Sequence, residues 1–444
     1  MHRALDFDKT PALGVPLPFF LNVPVFLLFS GLLLTWEGPA AFASRWGSNA
    51  LTLTHLWTLG IMGSTMLGAL IQILPVACNV PVGRGYFPSW PVYGFFTVGC
   101  LALCGGFYFW QPMWLKVAVV LLIIAFLIYF GSVGWALWQH RRQVYPGARE
   151  ILVAVRGALL ALAITVLLGF TMAWALGSGF SLAPWVNSHI VWGLTGWGGL
   201  LLMGMSFQLI PIFQITELYP KWMTRWLPLA VLVLLLAWSS LYSGETPNPL
   251  YRFAEAALVA AYAIWAVATL HLLHTRKRAS HGPTSLFWFT SMYSLLACVL
   301  VWIAHWFNPS AQTVLAMGVL IIVGVFGSVI TGQLYKIVSF LLWKHGQDAV
   351  KIPDDNPLEV KKFLHVVPKM QAYVRPTPAL THWWLHLALV VVWVLAVFGW
   401  TPAKALAGPL LLAVSVVFIA NILYALRLYR QTLHAIARLE AEGA

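Results

Sequence analysis

Thirteen histidines in a chain with only thirteen Asp and Glu are the first residues to account for. Imidazole titrates near neutrality, and in its neutral form it is a preferred axial ligand for haem iron and a good ligand for copper. Two of the thirteen stand in matching surroundings. One stretch reads His55-Leu-Trp-Thr-Leu-Gly-Ile-Met-Gly63, then Gly68, Gln72 and Pro75. The other reads His189-Ile-Val-Trp-Gly-Leu-Thr-Gly196, then Gly204, Gln208 and Pro211. The Gly-x3-Gln-x2-Pro ending is spaced alike in both, and the histidine precedes the glutamine by 17 residues in one and 19 in the other. Glycines at this spacing let a second backbone or a flat group come close to a helix. A histidine beside such a face suits a b-type haem held edge-on between helices, with His55 and His189 together on one six-coordinate iron or each on its own five-coordinate iron, and Gly63 and Gly196 against the cofactor. Helix packing alone is the competing reading of the glycines. Gln and Pro read as structural, the amide bonding carbonyls that proline frees.

Such a site needs a membrane bundle to position it. The chain has 444 residues, 60% of them hydrophobic and 9% charged, and its mean hydropathy is +0.82, which no water-covered surface permits. The 26 Lys and Arg against 13 acids give +13, an excess that belongs to loops on one side of a membrane rather than to nucleic acid. Crossing the hydrocarbon takes about 20 apolar residues. Runs of that length fall at 16-36, 51-76, 92-110, 115-138, 151-176, 187-213, 226-243, 250-275, 284-305, 312-343, 383-400 and 404-428, which predicts an all-α protein of about 12 transmembrane helices. Turn-forming breaks such as Tyr145-Pro146-Gly147 and Asn308-Pro309-Ser310 separate them. The tenth run partly repeats the second and sixth through Gly318, Gly324, Gly327, Gly332 and Gln333, with Lys336 where the proline would stand. The chain therefore reads as one transmembrane domain, 1-444, of three pseudo-repeated four-helix units (16-138, 151-275 and 284-428), with a connector at 344-380 capping one face.

Arg84, Arg141, Arg142, Lys221, Arg225, Arg276, Lys277 and Arg278 all follow even-numbered runs, as do Lys344, Lys351, Lys361, Lys362, Lys369 and Arg375. The positive-inside rule then places both termini in the cytoplasm of a multi-pass inner-membrane protein. The first run is long enough to span and lacks a cleavable leader, so no signal peptide is expected. On this orientation His140, His271, His274, His281, His345, His365, His382 and His434 lie at cytoplasmic ends, where solvation explains them. His2 is terminal, and His386 sits one turn inside the eleventh run. His55, His189 and His305 share the opposite side. His305, beside Trp306 and Pro309, is either a ligand or an interfacial anchor. Met62, Met66, Met203 and Met205 read as packing residues. Cys78, Cys100, Cys104 and Cys298 read as packing thiols, since no Cys-x-x-Cys is present. Glu255 is an intramembrane carboxylate.

Twelve helices in three units, with histidine at the non-cytoplasmic end of the second and sixth and glycine-rich stretches running on to Pro75 and Pro211, resemble the catalytic subunit of haem-copper oxidases and nitric oxide reductases. The chain is also similar to the smaller NnrS-like haem- and copper-containing membrane proteins linked to nitric oxide metabolism, which begin with a stretch like Pro18-Phe19-Phe20-Leu21. The resemblance implies a haem-copper-oxidase-like fold. It makes His55 a haem ligand and His189 the counterpart of a copper ligand. It also implies haem b, with copper as a second cofactor, and electron transfer or a nitric oxide- or oxygen-related response. The tenth run lacks the family's His-x-His and the seventh its His-His pair, so a complete oxygen- or nitric oxide-reducing centre is not expected. The partners expected are the lipid bilayer and a redox protein or quinone; a homo-oligomer is compatible. Two other classes stay open: a permease for a metal, haem or small solute, and a cofactor-free subunit of a respiratory complex.

Overall fold

A computed structural model describes residues 5-143, 145, 148-242, 248-277, 282-350 and 365-443. His2 and His281 lie outside the described residues. The regular structure described is helical, apart from an isolated bridge between Arg84 and Phe87. Twelve helices are long and apolar enough to cross a membrane: α1 Leu17–Phe42, α2 Ser48–Cys78, α3 Ser89–Tyr108, α4 Pro112–Gln139, α5 Arg149–Leu176, α6 Ala183–Gln214, α7 Lys221–Leu241, α8 Pro249–His274, α9 Pro283–Phe307, α10 Ala311–Asp348, α11 Pro376–Val397 and α12 Thr401–Leu439. Helix is what hydrocarbon demands, because each backbone N–H and C=O must be bonded within the segment. Each helix coincides with one apolar run. Several run beyond it: α7 begins at Lys221, α10 continues to Asp348 and α11 begins at Pro376. Hydropathy marks the depth of the hydrocarbon, whereas the backbone stays helical through interfacial residues whose side chains reach water.

The first and last helices pack along each other through two glycines. A Cβ on Gly408 would lie 2.6 Å from the backbone of Thr35, and one on Gly31 would lie 3.1 Å from the Leu412 nitrogen. Polar side chains join helices too. The buried Asn22 amide on α1 donates to Ser64 on α2 and Thr97 on α3, and accepts from the Tyr93 hydroxyl. Interhelical bonds in bilayers contribute about 1 kcal/mol each. Asn22→Leu is therefore expected to lower stability by about 2 kcal/mol, measured as an earlier thermal midpoint in detergent. An unchanged midpoint would show that the triad contributes nothing.

At the face that carries the basic loops, the N-terminal segment folds back onto the bundle. The Asp6 nitrogen donates to the Val76 carbonyl, and Tyr145 donates to the Asp6 carboxylate at 2.6 Å, which holds that carboxyl below its usual range. Phe7 rests on Phe340, and His345 pairs with the Pro11 carbonyl at 3.1 Å. Capping expected of 344-380 is thus shared with residues 5-11, and the middle of that connector (351-364) lies outside the described residues.

α2, α6 and α10 each contain an eight-residue π-helical stretch: Leu56–Gly63, Trp192–Gly199 and Leu320–Gly327. Such wide turns are rare and concentrate at functional places. Aligning the three corrects the register read from sequence. Gly60, Gly196 and Gly324 correspond, as do Gly63, Gly199 and Gly327. Lys336 then falls at the position of Gln72 and Gln208 rather than of the prolines, where Ser339 stands. The stretches meet: at Gly198 a Cβ would lie 2.7 Å from the Phe326 ring of α10 and 3.1 Å from Met62 of α2. The carbonyls of Thr195 and Val323, equivalent in this register, both accept side-chain bonds, from the Tyr262 hydroxyl at 2.5 Å and from His386.

Candidate cofactor site and a second histidine cluster

His55 immediately precedes the π stretch of α2, and His189 lies three residues before that of α6. The two are therefore two residues apart in register, with Val191 opposite His55 and Leu53 opposite His189. The structure nevertheless brings the rings near each other, close enough for a charge on one to act on the other. His55 Nδ1 bonds the Leu51 carbonyl at 2.7 Å, within its own helix, while His189 Nδ1 bonds the Thr165 carbonyl of α5 at 3.0 Å. A carbonyl only accepts, so in the neutral rings Nδ1 carries the proton. Nε2 keeps its lone pair and has no protein partner among the described residues. Metal-bound imidazoles are oriented in the same way, by a bond from the other ring nitrogen. His140 makes a similar bond to the Ala136 carbonyl at the basic face, so the bond alone does not mark a site.

Position and open surface distinguish the pair. α2 is the most enclosed helix, with 89% of its most apolar window buried, yet His55, Thr58 and Leu59 are only half-buried. His189, Leu194 and Thr195 are likewise half-buried on α6. Gly318, at the corresponding depth of α10, has open space where a side chain would stand. Gly169 makes room for the His189 ring, since a Cβ there would approach Cε1 to 3.0 Å.

The two glycines expected against the cofactor are instead filled by packing. A Cβ on Gly63 would meet Phe96 of α3 at 3.0 Å, and one on Gly196 would meet Ala161 of α5 at 2.7 Å. His305 is not brought to the pair among the described residues. Its Nδ1 lies 2.6 Å from the Thr313 hydroxyl, which donates to the Ser310 carbonyl and so anchors the α9–α10 turn. Neither Gln72 nor Gln208 bonds a proline-freed carbonyl, and the Gln72 oxygen is buried without a partner. Met62, Met66 and Met203 are buried as packing residues, and all four cysteines are buried and free. Glu255 accepts from the Trp302 indole at 3.2 Å. Among the described residues no three His, Cys, Asp or Glu side chains are grouped to hold a metal ion; haem iron needs only one or two protein ligands.

The expectation that His382 and His386 are interfacial is overturned. Both are essentially inaccessible, at 0% and 1% exposure. α11 turns them inward on the face that also carries Ala379, Leu389 and Trp393. His386 Nε2 lies 2.9 Å from the Ser328 hydroxyl, and the ring also bonds the Val323 backbone inside the third π stretch. His382 Nδ1 lies 2.6 Å from the Tyr335 hydroxyl, whose oxygen accepts from Asn421 of α12 at 2.8 Å, and its Nε2 has no partner. Leaving such an atom dry costs about 1–3 kcal/mol. The i, i+4 spacing shared with apolar core residues was the available signal; counting residues from the helix end concealed it.

Compared with known protein families and with curated proteins, the chain matches none of them.

Proposed function

We propose that this chain is an integral membrane b-type haem protein whose iron is held by His55 and His189. In this reading it has a haem-copper-oxidase-like arrangement of three four-helix units and both termini in the cytoplasm. The observation that carries it is the pair of neighbouring, half-buried imidazoles, each with Nδ1 committed to a carbonyl and Nε2 free of protein partners among the described residues. Two neutral nitrogen donors of fixed orientation fit axial ligation. The π stretches at corresponding places in α2, α6 and α10 support the repeat.

Bound haem would supply a one-electron centre where both imidazoles hold one iron, or a site for a diatomic gas where each imidazole holds its own. The chain's own residues do the positioning. Leu51 and Thr165 fix the tautomer and aim each Nε2, and Gly169 leaves the space in which the His189 ring stands. Apolar walls exclude water. α7 has no histidine, and the single histidine of α10, His345, is tied to Pro11 at the basic end, so the ligands of a complete oxygen- or nitric oxide-reducing centre are missing. Electron transfer or a gas-related response fits this donor set, with a redox protein or quinone as electron partner.

The test is a reduced-minus-oxidised optical spectrum of detergent-purified protein with iron and copper counted per chain. A Soret band with stoichiometric iron supports the proposal; stoichiometric copper without haem moves the pair to copper ligation. Gly169→Ala is expected to shift that band and lower haem affinity by about tenfold, the low end of an orienting-shell change. An identical spectrum would show that Gly169 does not set the ring position.

A further inference from the structure

The His382 cluster takes no part in that function, and its geometry carries a role of its own. It runs along the bundle axis. Ser328 and His386 lie beside the end of the third π stretch, and Tyr335 is two turns along α10 toward the basic face. At the inner end, a Cβ on Gly327 would touch both His386, at 3.4 Å, and the Trp57 ring of α2, at 2.8 Å, so the cluster abuts the helix that carries His55. Its buried atoms are not satisfied by protein. Among the described residues His382 Nε2 has no partner, nor has Ser291 Oγ, one turn along α9 from Phe287. Buried polar atoms without protein partners are ordinarily met by water, and ionisable side chains inside a membrane mark proton or ion routes.

We propose that His382 is a hydrated proton-accepting site in the basic half of the bundle, taking up one proton when an electron enters the neighbouring centre; this second part rests on the haem reading. His382 Nδ1 and the Tyr335 hydroxyl share one proton across 2.6 Å. In the accepting tautomer Nδ1 carries the ring's own proton and donates it to the Tyr335 oxygen, which keeps its hydroxyl hydrogen and has a lone pair for this bond besides the one facing Asn421. Nε2 then takes a proton from hydronium: one N–H bond forms, one O–H bond of hydronium breaks, and the positive charge passes from water to the ring. The titratable groups acting on His382 are His386 on its own helix and Tyr335 on α10. α9 presents Phe287 and α12 presents Phe418 and Asn421, none of which titrates. Lys336, half-buried, follows Tyr335 in the chain.

Two measurements on the full-length protein test this. In lipid vesicles with 15N-histidine, magnetisation started on water reaches the His382 ring nitrogen, identified by its loss in His382→Gln; a dry His382 overturns the proposal whether or not haem is found. In the haem-loaded protein, one proton per electron changes the reduction equilibrium tenfold per pH unit, ~59 mV. His382→Gln and the milder Tyr335→Phe flatten that slope while the Soret band stays intact. A slope unchanged in both variants overturns the coupling. Absence of a Soret band from the wild type refutes the haem reading instead, and water contact at His382 then decides the site alone.

Discussion

His189→Ala is expected to lower haem per chain by more than about tenfold, with the Soret band lost or displaced, and His55→Ala is expected to do the same. Orienting residues around a metal already contribute 10–100-fold to affinity, and removing a ligand itself must exceed that. The expectation follows from geometry. Each Nε2 is the ring atom left over once Nδ1 is tied to a carbonyl. His140→Ala and His305→Ala serve as controls. The first removes a similarly bonded imidazole at the basic face, and the second one that anchors a turn; both should leave the spectrum unchanged. A colourless wild-type preparation with sub-stoichiometric iron would falsify the assignment, and equal loss in all four variants would reduce it to general destabilisation.

Gly408→Val carries the largest expected effect on stability, about 3 kcal/mol, at the upper end of overpacking costs. The atoms that a Cβ would meet are the Thr35 nitrogen and Cα, both 2.6 Å away, and the Thr35 Oγ1 at 2.7 Å. A flexible side chain could rotate away from an added methyl, but backbone moves only if α1 and α12 separate. The expected result is a clearly earlier unfolding midpoint, or loss of monodisperse protein on size-exclusion chromatography. Gly134→Ala is the contrast: nothing lies within 4 Å of its Cβ position in α4. It should be neutral or stabilise by up to about 1 kcal/mol through helix propensity. Equal midpoints for Gly408→Val and wild type would show that the α1–α12 crossing is not tight.

The candidate pair was legible because histidine, glycine and proline recur in order around positions 55 and 189. The pair's nearness was not. His189 is two residues out of register with His55, and only the bond to Thr165, from a helix earlier in the chain, shows how its ring is aimed. Gly63 and Gly196 looked like a cofactor face because spacing records small size and not which neighbour fills the space; Phe96 and Ala161 fill it. His382 and His386 were misjudged for a related reason. Distance from a helix end gives depth, but the rotation of α11 against α9, α10 and α12 decides whether an imidazole at that depth meets water or Phe287 and Phe418.

The sequence by itself determined twelve apolar helices and a basic face, because burial in hydrocarbon depends on composition summed over about 20 residues. Only the tertiary structure decided which residues of the three glycine-rich helices correspond, which histidines stay half-buried and which are sealed in the core. Those properties depend on where π turns shift the helical register and on which side chains fill the space beside each glycine.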